Sequence, residues 1–223
     1  MKLLGVIAHA DDEVTFAGFA SKVVKEDGKV IILCLTGNKK RKKEFYDACK
    51  KINAQPLFIG IKNKKLRHSS TKKETDYLIR LIKKFKPDAL ATISDLDYHP
   101  EHKKVIEIIK EAVEFASHGE KNKAWFVEKV LMFESTNLFP YPDYLIDIAK
   151  EYENKENLMK CYLSQLTKPY KKNYYLHAIK KRAELRGIQA GAKYAEACKE
   201  IKFPIHGNFY GKDRTIRKTT DFK

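Results

Sequence analysis

The sequence predicts an α/β protein with a Rossmann-like, three-layer α/β/α architecture and a mostly parallel sheet. Short apolar runs recur along the first 135 residues, each with the length of a strand that is buried on both faces. Amphipathic segments with helical spacing separate these runs. Strands that alternate with helices form parallel sheets through right-handed crossovers, so the pattern places helices on both faces of one sheet.

Each element follows from a local pattern. Five apolar runs predict the strands: residues 3–8, 29–35, 56–61, 88–93 and 129–134. Apolar residues spaced three and four apart predict the helices between them: residues 11–25, 41–52, 71–85 and 103–116. Asp27-Gly28 is a turn signal before the second strand, and Pro87 ends the third helix.

We interpret residues 1–223 as one domain, with a Rossmann-like core over 1–135 and a mainly helical extension over 136–223. Within the extension, residues 144–148 fit either a short strand or the start of a helix. Residues 156–166 and 176–198 have the spacing of helices. The residues after Phe203 contain glycine, proline and many charges, which predicts a C-terminal loop.

The composition restricts the class of protein and of partner. The net charge is +16, from 45 Lys and Arg against 29 Asp and Glu. Because the excess is mostly lysine spread over many helices, a solvated basic surface is favoured over a nucleic-acid site, and an anionic substrate is the better of the remaining options. The sequence shows no secretory signal pattern, no apolar run long enough for a membrane span and no closely paired cysteines. We therefore expect a cytoplasmic protein with reduced cysteines; oligomerisation is left open.

A first cluster of polar residues, residues 8–13 (AHADDE), lies where the first strand ends and a helix begins. Ligands of open α/β sheets bind at the carboxyl ends of the strands. His9 and Asp12 are three residues apart across this turn, a spacing that can direct an imidazole and a carboxylate at one point, with Asp11 free to face whatever is bound. The alternative is that Asp11 or Asp12 only caps the helix.

A second cluster, residues 97–102 (DYHPEH), follows the fourth strand and reaches the same edge of the sheet. Pro100 suits the first turn of a helix, and His99 and His102 are three residues apart, so they can share a face. Alone, the two histidines could equally be surface residues near a helix start.

Together the two clusters predict a metal centre. A catalytic zinc has three protein ligands and one open position, and His9, Asp12 and one histidine of the second cluster supply two nitrogens and an oxygen. Zn²⁺ acidifies water, Asp11 can act as the general base, and His99 can steady an oxyanion or protonate an amine. Another divalent metal fits the same ligands.

These motifs resemble the PIG-L/LmbE-like deacetylases, whose usual forms are HPDDE and HPDH. Weaker likenesses extend over residues 2 to 200: Thr36-Gly37, Arg41 with Glu44, Ser164-Gln165 and residues 191–196. The resemblance implies a Rossmann-like fold and a zinc-dependent enzyme that removes the acetyl group from an amino-sugar conjugate.

The resemblance also implies a role for each matching residue. His9, Asp12 and His102 would be the zinc ligands, Asp11 the general base and His99 the oxyanion or acid residue. Arg41 would lie near the substrate. From its place beside His99, Tyr98 either hydrogen-bonds substrate or packs at the surface.

The sequence departs from the family pattern at three places. Ala10 replaces the usual proline, Glu101 replaces aspartate, and residues 62–66 lack an aspartate that contacts substrate in many relatives. The last departure leaves the substrate class open. Two rival functions remain: a non-catalytic protein that binds a nucleotide-sugar or nucleic acid, and an amidohydrolase of a non-sugar N-acyl substrate. No Gly-rich dinucleotide or Walker loop and no DNA- or RNA-binding motif supports the first rival.

Overall fold

The structure is a computed structural model that describes residues 1–61, 66, 71–119, 123–167 and 174–203. The predicted α/β class is confirmed: within these residues, seven strands form one sheet in the order β3-β2-β1-β4-β5-β7-β6. The strands are β1 (Lys2–His9), β2 (Lys29–Thr36), β3 (Gln55–Ile61), β4 (Ala89–Ile93), β5 (Lys129–Phe133), β6 (Tyr144–Asp147) and β7 (Ala195–Glu200). The first five are parallel, as predicted, while β7 is antiparallel to both β5 and β6.

The helices are α1 (Ala17–Lys25), α2 (Lys39–Lys51), α3 (Lys72–Phe85), α4 (Pro100–Ala116), α5 (Tyr152–Lys160), α6 (Leu163–Leu166) and α7 (Tyr174–Ala190). The expected helix over residues 11–25 begins instead as a 3₁₀ turn, Asp12–Phe16. Among the described residues, no helix combines the length and the apolar character that crossing a membrane requires.

Both faces of the sheet are buried, as the continuous apolar runs predict. In β1, Leu3 and Ile7 pack toward the helices α1, α2, α5 and α7, while Leu4 and Val6 pack toward α3 and α4. Burial of one such side chain stabilises the fold by about 1.5–3 kcal/mol. Because β1 and β4 are packed on both faces, the residues at their carboxyl ends have fixed positions.

The last third of the chain differs from the sequence prediction. The expected helix over residues 176–198 ends at Ala190, and residues 195–200 form the strand β7 between β5 and β6. Gly191, with φ +66, ends the helix, because a left-handed residue after the last turn favours glycine. Residues 144–148, left open between strand and helix, contain the strand β6. The extension therefore adds two strands to the sheet besides its helices.

Candidate metal centre and cleft

The two polar clusters meet at the point where the strand order reverses. From β1 the chain proceeds through β2 to β3 on one side of the sheet, and β4 begins the other side. β1 and β4 are adjacent and parallel, so the residues after His9 and after Ile93 leave the same edge. Ligands of open α/β sheets bind at such a switch point.

The side chains of His9, Asp12 and His102 direct possible metal-ligand atoms at one another across this edge, and we call this group the donor triangle. His9 Nδ1 lies 3.2 Å from His102 Nε2. The Asp12 carboxylate lies 3.4 Å from each ring, through Oδ2 to His9 Nδ1 and through Oδ1 to His102 Nε2. Ligand atoms 2.0–2.2 Å from a tetrahedral zinc would lie about 3.3–3.5 Å apart. Each of these pairwise distances is that of neighbouring zinc ligands, with Asp12 presenting a different oxygen to each histidine.

His99 lies beside this triangle. Nitrogen atoms of His9, His99 and His102 all fall within 4.8 Å of one another, so the three histidines are a second set that could hold a metal ion. His99 also caps α4, where its Nδ1 accepts a hydrogen bond from the Glu101 N–H at 3.3 Å. Because Nδ1 is the acceptor, the ring proton belongs on Nε2, which leaves His99 with one N–H donor.

A carboxylate lies behind each of the two rings in the donor triangle. Glu101 Oε2 lies 2.8 Å from His9 Nε2, and Asp97 Oδ1 lies 3.2 Å from His102 Nδ1, at an angle unfavourable for a hydrogen bond. Both carboxylates are almost fully buried. A carboxylate on the far nitrogen holds a metal-binding histidine in one orientation and tautomer. Ser135 donates a very short hydrogen bond to Asp97.

The charges of the cluster are strongly coupled. Burial by itself would lower the pKa of His102, but Asp12 and Asp97 outweigh it and raise that pKa to about 10. The pKa of Asp12 falls well below its usual range, because its two histidine neighbours outweigh the effect of burial. A metal cation would take the place of the proton that these carboxylates stabilise.

Asp11 occupies an unusual backbone conformation next to the donor triangle. Its φ is +114°, a region that residues other than glycine rarely adopt and that is commonest at functional sites. Arg41 Nη2 lies 2.7 Å from Asp11 Oδ1 and also donates a very short hydrogen bond to the Ala10 carbonyl. Burial raises the pKa of Asp11 to about 6, against the opposing effect of Arg41.

These residues line a cleft of about 730 Å³. The structure brings together every residue that the sequence marked for the site: His9, Asp11, Asp12, Arg41, Tyr98, His99 and His102 all line it. Tyr98 is 72% exposed at the rim. Arg41 also contacts Ser164 Oγ at 3.3 Å, so in this structure its guanidinium bonds to the protein.

Sequence reasoning assigned no role to several residues of the site, although some of them, Glu13, Glu44 and Glu101, stand in motifs that it singled out. Glu101 and Asp97 stood in the second cluster, but a carboxylate within a motif does not show which histidine it will contact. Glu13 and Tyr162 are both completely buried and bonded to each other, and Glu44 accepts hydrogen bonds from the Ser164 N–H and hydroxyl at 2.8 and 2.6 Å. Tyr174, Tyr175 and Arg182 line the far wall of the cleft. Residues 62–65, where the expected aspartate is missing, lie outside the described residues.

The fold and the site define an α/β protein with a candidate metal centre at the switch point of its sheet. A family model described as PIG-L: GlcNAc-PI de-N-acetylase matches residues 4–113. This match spans both clusters and confirms the resemblance that the motifs predict.

Solved structures share the fold over nearly the whole chain. A conserved protein from Thermus thermophilus is 21% identical, with a TM-score of 0.77 over 92% of this chain and 96% of that one. The N,N'-diacetylchitobiose deacetylase from Pyrococcus horikoshii is 17% identical, with a TM-score of 0.75 over 90% of this chain and 83% of that one. The 4-carboxy-2-hydroxymuconate hydratase from Pseudomonas putida is 19% identical, with a TM-score of 0.77 over 93% of this chain and 98% of that one. Because a deacetylase and a hydratase share this fold, the chemistry must be argued from the site.

Proposed function

We propose that this chain is a metal-dependent N-deacetylase that removes an acetyl group from an amino-sugar conjugate, with zinc held by His9, Asp12 and His102. One observation carries the proposal: His9 Nδ1 and His102 Nε2 lie 3.2 Å apart, the Asp12 carboxylate presents one oxygen to each of them at 3.4 Å, and the group opens onto a cleft that also contains Asp11 and His99. The family match, whose description is a de-N-acetylase, and the deacetylase among the structures of the same fold support it.

Zinc bound there would supply a Lewis acid and acidify water. We choose His9, Asp12 and His102 over the three histidines because the Nδ1 of His99 already accepts a backbone hydrogen bond. That bond places the ring proton on Nε2, so neither nitrogen of His99 is free to bind a metal. The carboxylates of Glu101 and Asp97 lie beside the distal nitrogens of His9 and His102 and would hold each ring with its other nitrogen facing Asp12, available as a metal ligand.

Asp11 would remove the proton from the water that attacks the amide carbonyl. Its carboxylate lies in the cleft, and Arg41 fixes its direction through the 2.7 Å ion pair. Amide hydrolysis requires a base close to the attacking water, and an aspartate in this position would supply it.

His99 would stabilise the oxygen of the acetamide carbonyl as negative charge develops there. With Nδ1 committed to the Glu101 N–H, its Nε2–H is the remaining donor, and the partly buried ring reaches the cleft. Donors directed at a developing oxyanion contribute about 3–4 kcal/mol to catalysis. The proton taken up from the water would pass to the amide nitrogen, the C–N bond would break, and the free amine and acetate would leave.

The cleft volume agrees with a small-molecule substrate, since pockets for small ligands are about 300–1,000 Å³. Its described wall combines polar groups near β1 and β4 with aromatic side chains from α7, Tyr174 and Tyr175. A sugar ring presents hydroxyls to the former and apolar C–H faces to the latter.

The test measures metal content and amine release on the same protein. We expect one metal ion per chain and release of a primary amine from at least one N-acetylglucosamine conjugate of a panel. Asp11→Asn should lower kcat by a factor of about 10²–10⁴, the usual contribution of a general base, while the metal stays bound. Asp47→Asn, at a half-buried position of α2 outside the cleft, is the matched control and should leave kcat unchanged.

Two results would contradict the proposal. Full turnover by Asp11→Asn with its metal bound would remove Asp11 as the base. A chain that takes up no metal even after addition of zinc would remove the ligand set and favour a protein that binds its ligand without chemistry.

A further inference from the structure

The side chain of Tyr162 lies beneath Asp11, in the segment between α5 and α6. Tyr162 is completely buried. It is 151 positions from Asp11 in the sequence, so no local pattern connects the two residues. Two separate chains of contacts nevertheless join them, one to the backbone of Asp11 and one to its carboxylate.

The first chain of contacts reaches the backbone. The Tyr162 hydroxyl donates a very short hydrogen bond to Glu13 Oε1, and Glu13 Oε2 accepts the Asp11 N–H at 3.0 Å. Glu13 is completely buried, so each of its oxygens requires a partner. The hydroxyl thus fixes the carboxylate that in turn holds the peptide of Asp11 at φ +114°.

The second chain of contacts reaches the carboxylate. The Arg41 guanidinium carbon lies 5.0 Å from the centroid of the Tyr162 ring, within the range of a cation–π contact. The same guanidinium is 2.7 Å from Asp11 Oδ1. The ring face therefore supports the cation that directs the Asp11 side chain into the cleft.

We propose that Tyr162 is a positioning residue that holds Asp11 at both ends, through Glu13 at the backbone and through Arg41 at the carboxylate. The inference rests on the proposed function in so far as Asp11 is the base of the reaction. It goes beyond that function because Tyr162 does not belong to either sequence motif. A strained backbone persists only where its surroundings hold it, and this double attachment supplies such a hold.

Tyr162→Phe is the informative substitution, because it removes the hydroxyl and keeps the ring beneath Arg41. Alanine would empty the core around the ring and confuse misfolding with mispositioning. Tyr152→Phe is the matched control: Tyr152 is also buried, its ring stacks on Tyr194, and its hydroxyl has no hydrogen-bond partner among the described residues.

Two readouts test the proposal, and one of them does not depend on activity. Amide hydrogen exchange measured by NMR should be faster at Asp11 in Tyr162→Phe than in the wild type or in Tyr152→Phe. In steady-state kinetics, kcat should fall about 10- to 100-fold, as displacement of a catalytic group by about 1 Å can cause, with KM and metal affinity unchanged. A merely structural role would lower the melting temperature without this separation of kcat from KM.

An Asp11 exchange rate equal to that of Tyr152→Phe would overturn the positioning role. Release of no amine by the wild type from any substrate would count against the proposed function instead. The exchange measurement would then still decide whether Tyr162 controls the conformation of Asp11.

Discussion

Glu101→Gln is the substitution that tests the metal centre most directly. The Glu101 carboxylate is 3% exposed and lies 2.8 Å from His9 Nε2, on the side of the ring away from the donor triangle. Glutamine has nearly the same shape, and its side-chain oxygen can still accept the His9 N–H. The substitution therefore removes charge from the contact and leaves the contact itself in place.

The expected loss follows from the strength of the two contacts. A hydrogen bond to a charged group contributes about 1.5–3 kcal/mol, against about 0.5–1.5 kcal/mol for a neutral one. The difference is about 1–1.5 kcal/mol, which corresponds to roughly a tenfold weaker zinc Kd. Glu101→Ala, which also leaves the ring free to rotate, should approach the hundredfold loss that removal of such partners can cause.

The assay is a competition titration of the metal-loaded protein with a chelator of known zinc affinity. Glu107→Gln is the control, because Glu107 lies on the same helix, is exposed and pairs only with Lys104 among the described residues. A zinc Kd for Glu101→Gln equal to that of the control would refute the argument that Glu101 supports a metal ligand.

Four further outcomes are expected. Removal of the metal with a chelator should lower the melting temperature, and zinc at 100 times its Kd should restore about 2.7 kcal/mol, measured by thermal unfolding. Lys155→Met should lower the free energy of unfolding in urea by about 3–5 kcal/mol, because the partner carboxylate of Glu196, at 2.5 Å, is left buried without its cation; an unchanged urea midpoint would contradict this. Gly187→Ala should cost about 1–3 kcal/mol in the same assay, because the new Cβ would lie 2.6 Å from the Ala192 carbonyl oxygen. Tyr98→Ala should raise KM and change stability by less than about 0.5 kcal/mol, because its exposed ring lies at the rim; an unchanged KM would remove it from the substrate site.

The parallel half of the fold could be predicted because its signals are local. Apolar runs of strand length alternate with helical spacing up to β5; the runs of β1, β2, β4 and β5 are buried in the structure, and that of the edge strand β3 is partly buried. β7 could not be found in this way. Its sequence, AEACKE, is rich in residues that favour helices, and it becomes a strand because β5 and β6 pair with it on both sides. Gly191 was the local signal that the helix ends before it.

The donor triangle could be predicted for a different reason. His9 and His102 are 93 residues apart, but His9 ends β1 and His102 comes after β4, and parallel strands bring their carboxyl ends to one edge. The topology therefore joins the two motifs without any knowledge of side-chain packing. Glu101 and Tyr162 were missed because their roles depend on rotamers and on contacts that cross from one layer of the fold to another.

The position of Glu196 has a consequence for how the protein comes to be assembled. Its two carboxylate oxygens accept the N–H groups of Gly18 and Phe19, at 2.9 and 2.8 Å, and so cap the helix that follows the first motif. These partners are 178 and 177 residues apart in the chain. During synthesis both polar clusters of the site emerge long before Glu196, so the first turn of α1 has no such cap until β7 enters the sheet. Pairing of β7 is then the step that joins the early half of the protein to the late half. A nascent chain without β7 would carry both polar clusters on an incomplete sheet.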